Sequence, residues 1–118
     1  MTIEAIVQSD DTYAGEQKFP PTIIMDGSPT AEVWTTAAYE TAKDLKAGIW
    51  SGEPGKLKIV SYPTDEVFTV ISGAVEMECD DGTRLTVKAG QSCLMHKGWS
   101  GIWHVLEPTR KCFVSFNG

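Results

Sequence analysis

The chain has 118 residues, 42% of them hydrophobic and 22% charged, with a formal net charge of −6. That length makes one domain with one packed core, and the balance is that of an ordinary globular chain. An acidic surface repels phosphate backbones and anionic headgroups, which argues against a nucleic-acid or membrane partner.

The N-terminus, MTIEAIVQSDD, has neither a basic start nor a long apolar stretch and does not read as a secretory signal. No apolar run approaches a membrane span, and a cytoplasmic location is the expectation. Residues 1–30 are rich in Pro, Asp, Ser, Thr and Gly with weak periodicity. They read as an irregular arm with one or two short extended pieces, such as Thr22 to Met25, either mobile or laid across a partner subunit. Residues 31–118 read as a single β-barrel domain. The stretch from Thr35 to Lys46, TTAAYETAKDLK, is the one helix-friendly segment: a turn or two of helix, or a loop into the next strand.

From Ala47 onward the pattern is β. Runs of β-branched and aromatic residues cover Ala47–Ser51, Lys56–Tyr62, Val67–Ile71, Ala74–Cys79, Arg84–Lys88, Ser92–His96, Gly101–Leu106 and Lys111–Phe116. Glu53-Pro54-Gly55 fits a turn in which Pro presets φ, and Asp80-Asp81-Gly82 is a hairpin signal. No helix of crossover length separates the runs, so the expectation is all-β, an antiparallel barrel or jelly roll.

The two-residue period of a strand assigns faces. One face collects Leu57, Ile59 and Ser61; then Glu66, Phe68 and Val70; then Val75, Met77, Leu85 and Val87; then Gly101, Trp103 and Val105. Val60, Val67, Ile71, Ile102 and Leu106 fall on the other, where an apolar outer face suits a homodimer. Glu66 is the informative residue, because a carboxylate on an apolar face needs either a partner or a raised pKa. Either it is a functional anchor or general base, or it is a structural acceptor held by a backbone N–H or a Tyr hydroxyl. Trp50 and Trp103 flank the same space, as walls for a small planar or cationic ligand or as filler. Ser61 offers a hydroxyl. His104, alternating with Trp103, should face away, and His96 stands at a turn. Glu107, Arg110 and Lys111 read as a charged surface corner. Cys79, Cys93 and Cys112, odd in number and without a CxxC pair, read as free thiols.

The segment SYPTDEVFTVISGAV, with Glu66 seven residues before Gly73, resembles the first cupin motif. AGQSCLMHKGWSGIW, with Gly90, His96 and Gly98, resembles the second. More narrowly, GIWSGEPGK with GWSGIWHVLEPTRKCFV is similar to the DUF861 cupins of the RmlC-like superfamily. Those cupins include the cupin domain of ethanolamine-utilization Q proteins and are related to (S)-ureidoglycine aminohydrolase. The resemblance spans Ala47 to Phe116 and implies a conical barrel, a dimer and a setting in nitrogen or carbon catabolism. The histidine ligands of metal-binding cupins fall, position by position, on Ile59, Ser61 and Gly101. Only Glu66 remains of four ligands, and one carboxylate does not hold a catalytic transition metal. No metal or other cofactor is therefore expected.

The readings that follow are three. The first is a metal-free cupin binding a small amine, amino acid or carboxylate through Trp50, Ser61, Glu66 and Trp103. The second is a lyase, isomerase or hydrolase with Glu66 as catalytic general base. The third is an accessory protein with a plugged barrel, acting through its outer face. Under the first, Glu66→Gln should lose ligand without unfolding the chain.

Overall fold

Eleven strands are present in the computed structural model, which describes residues 3–36 and 44–117. In chain order they are β1 (Tyr13–Gln17), β2 (Ile24–Gly27), β3 (Ala31–Thr35), β4 (Leu45–Gly52), β5 (Gly55–Ile59), β6 (Asp65–Ser72), β7 (Ala74–Cys79), β8 (Arg84–Lys88), β9 (Ser92–Met95), β10 (Gly101–Val105) and β11 (Thr109–Phe116). Two sheets face each other, in the orders β1-β3-β4-β11-β6-β9 and β2-β5-β10-β7-β8. Every pairing is antiparallel. This is the expected all-β cupin barrel. Among the described residues no helix is long and apolar enough to cross a membrane.

Alternation along the strands builds the core. Phe68 and Val70 of β6, Val75 of β7, Val87 of β8, Trp103 and Val105 of β10 and Phe113 of β11 are buried between the sheets. Val60, Val67, Ile71 and Leu106 point outward and are exposed, as the period requires, while Ile102 is half-buried. Leu85 departs from the expectation: it pairs with Met77 on the inner side, yet it is half exposed because β8 is an edge strand.

The first thirty residues hold two short strands, and these pair with β3 and β5 of the same chain. Strands β1 and β2 of the arm are thus laid on the barrel of their own chain. Phe19, Ile23 and Ile24 pack against the core. β3 was not expected as a strand; it joins the arm to β4. Of the helix-friendly stretch, Thr35 ends β3 and Leu45 opens β4, and residues 37–43 lie outside the described residues.

Candidate functional site

Glu66 lies on β6 facing inward, 6% exposed, and both its oxygens are engaged. Tyr62 Oη donates to Oε1 at 2.9 Å, and Lys111 Nζ donates to Oε2 at 2.9 Å. A buried carboxylate therefore has a hydroxyl and an opposite charge, the condition under which burying it is tolerable. The Lys111 side chain is only 7% exposed.

Lys111 is a correction to the charged surface corner. Register places it on β11 between Trp50 of β4 and Val70 of β6, both core residues. Lys111, Phe113 and Ser115 alternate inward and all three are buried. Arg110 points outward and donates to Gln8 Oε1 at 2.9 Å. Counting back by twos from Phe113 would have found Lys111.

The ammonium of Lys111 sits over three rings: 4.5 Å from the centroid of Phe68, 4.6 Å from Trp103 and 5.0 Å from Trp50. Ring faces carry negative potential, so this cage favours a cation. Trp103 meets Trp50 and Phe68 edge to face, at 5.9 and 5.6 Å between centroids. Burial, and after it the charge of Glu66, pushes the Tyr62 hydroxyl well above its ordinary pKa, so it stays protonated. The Cys93 thiol is pushed up by burial, with Lys111 pulling the other way.

This cluster floors a pocket of about 90 Å³. Trp50 and Trp103 line it, joined by Ile59, Tyr62, Trp99 and, from the arm, Gln17 and Phe19. Glu66 is not among the lining residues; Lys111 is. Tyr62 and Trp99 are fixed together, because the Tyr62 N–H donates to the Trp99 carbonyl at 2.8 Å and the Tyr62 carbonyl accepts from the Gly98 N–H at 2.8 Å. Trp50 Nε1 donates to Gln17 Oε1 at 3.0 Å.

Ser61 is not brought into this group. β5 ends at Ile59, Ser61 takes a positive φ of 53°, and the residue is exposed, its N–H donating to Ser100 Oγ at 2.9 Å. The sequence run was read three residues past the true strand end. His96 is 79% exposed, with Nδ1 3.9 Å from Asp65 Oδ1, and faces solvent. His104 pairs with Lys56 and Glu76, on the face opposite Trp103.

The residues do not fit the metal of the wider cupin fold. Glu66 has no free oxygen, and its partner is an ammonium that would repel a divalent cation. Gly101 cannot be a ligand position, since a Cβ there would collide with the Glu78 carbonyl oxygen and lie 2.7 Å from the Trp99 ring. Among the described residues no three His, Cys, Asp or Glu side chains gather at a point.

The profile of the EutQ-like cupin domain family matches residues 39–113. Among solved structures the chain is similar to the EutQ protein of Clostridium difficile, with 19% identity, a TM-score of 0.67, and 77% of this chain and 65% of that one covered. It is similar to a DUF861-family protein of unknown function from Pseudomonas syringae pv. tomato, with 23% identity, a TM-score of 0.73, and 88% and 43% covered. A DUF861-family protein from Thermotoga maritima shares 32% identity at a TM-score of 0.52, over 55% of this chain and 73% of that one. The chain spans under two thirds of the length of the first two. No curated protein matches it. The two-sheet barrel with Glu66 and Gly73 at the motif positions agrees with a profile match over most of the strands: the chain belongs to the EutQ-like cupin domain family.

Proposed function

We propose that the protein binds a small carboxylate in the barrel pocket without a metal ion, and that Lys111 meets the ligand's charge. The observation that carries this reading is that Lys111 is, among the described residues, the one charged residue lining the pocket, while its partner Glu66 does not line it. In this reading the ion pair presents its positive end to the cavity. Such a fixed dipole in a water-poor site acts on a ligand charge more strongly than the same groups in water. An amine would meet the ammonium first and be repelled. The remaining walls, Phe19, Ile59, Trp99 and Trp103, suit an apolar or planar body. At about 90 Å³ the pocket is well below the ~300 Å³ lower range of drug-sized sites, so the ligand has few heavy atoms.

The orientation of Glu66 weighs against its use as the general base of an enzyme, since both oxygens are occupied and neither lines the pocket. An open pocket weighs against a fully plugged barrel.

A melting-temperature panel in EDTA tests the reading. Acetate, propanoate and butanoate are compared with ethylamine, propylamine and butylamine. The acids should raise the melting temperature saturably, by about 1.4 kcal/mol of added stability at ten times Kd, and the amines should not. Stabilisation by amines alone, or by neither series, overturns it.

A further inference from the structure

Gln17 reaches the pocket because β1 contains one residue too many. Tyr13 pairs with Trp34, but Gly15, Glu16 and Gln17 pair with Val33, Glu32 and Ala31, so Ala14 has no partner and forms a bulge. Gly15 has φ of +125°, a value that residues with a Cβ rarely adopt. Side chains alternate along a strand, so one inserted residue reverses every face beyond it. Tyr13 therefore packs outside against Trp34, with ring centroids 5.5 Å apart. Gln17 instead shares the inner face with buried Ala31 and stands at the rim of the pocket over Trp50.

The contact with Trp50 also fixes which end of the carboxamide is free. An indole N–H only donates, so the atom it meets must be the Gln17 oxygen. The NH₂ group then has no protein partner among the described residues and remains available at the pocket rim. Lys111, the aromatic walls and Gln17 thus all line the same pocket.

We propose that Gln17 is a specificity-determining residue, selecting among small carboxylates those that carry a second hydrogen-bond acceptor at the far end. The proposal rests on the carboxylate reading of Lys111. Gln17 lies outside residues 39–113, so this selection belongs to the arm and not to the segment the family profile matches.

Three four-carbon acids that differ only at the far end make the test: butanoate, succinate and succinamate. Each is titrated by calorimetry into the unaltered protein, Gln17→Ala and Gln17→Glu. The unaltered protein should bind succinamate and succinate about 5- to 10-fold more tightly than butanoate, the range one well-formed hydrogen bond supplies. Gln17→Ala should bring the ratio to about one. Gln17→Glu keeps an acceptor for the Trp50 indole but has no donor, so it should reverse the preference against succinate. A role limited to bracing Trp50 would leave the ratio intact in Gln17→Glu, and that result overturns the proposal. So does equal binding of all three acids by the unaltered protein, with the carboxylate reading still standing. If the unaltered protein binds none of the three, that reading falls and the proposal with it.

Discussion

On the outer face of the six-stranded sheet, Arg110 is half-buried and holds Gln8 by one hydrogen bond. On the inner face one residue later, Lys111 is enclosed by Glu66 and three aromatic rings. The two cations are neighbours in sequence and share a strand, yet solvent screens one and the protein alone compensates the other. The charge of Arg110 is worth little where it is, because water supplies what a partner would. Lys111 stands in a medium where both the attraction of Glu66 and the cost of losing it are large. The difference explains how an apolar barrel tolerates a full charge.

The largest expected effect falls on the inner pair. Lys111→Met or Glu66→Gln alone should each cost about 3–5 kcal/mol, since each leaves a buried charge uncompensated. That is a large part of the stability of a small domain. Glu66→Gln is therefore expected to cost stability, where the sequence alone suggested a change that spares the fold. The double variant Glu66→Met/Lys111→Met should recover most of the loss in urea denaturation, and losses that simply add would deny the coupling.

Tyr62 comes next. Tyr62→Phe removes a hydrogen bond to a charged acceptor and should cost about 1.5–3 kcal/mol near neutral pH. Its raised pKa also sets a direction with pH. Unfolded tyrosine releases its proton near pH 10, while folded Tyr62 holds on. The stability it contributes is complete below about pH 10 and is lost as pH climbs toward the folded value. Denaturation at pH 8 and pH 10.5 should show a smaller alkaline loss in Tyr62→Phe than in the unaltered protein; equal losses would contradict the burial of that hydroxyl. The smallest effect belongs to the outer face, where Arg110→Ala should change stability by no more than about 0.5 kcal/mol in the same urea assay.

The β portion was legible because alternation and turn chemistry act locally. Ala74–Cys79 and Arg84–Lys88 are strands with the very bounds their pattern indicates. Glu66 was legible as an anomaly, a charge among Phe68 and Val70. Its partner was not, because a Lys beside an Arg looks like surface, and only the register with Trp50 and Val70 turns it inward. Ser61 was misplaced because β-branched pattern does not reveal where β5 gives way to a residue at positive φ. Gln17 was hidden more deeply. Its inward aim depends on the bulge at Ala14, and a two-residue period read through an unrecognised bulge gives the wrong face.

The most direct measurement is a calorimetric titration of butanoate into the unaltered protein, Arg110→Met and Glu66→Met/Lys111→Met. The double variant removes the ion pair without leaving a buried charge, so its binding can be read on a folded chain. The account predicts saturable binding to the first two and at least a tenfold loss in the double variant. Equal affinity across all three would contradict the claim that the inward-facing ammonium of Lys111 is what the ligand meets.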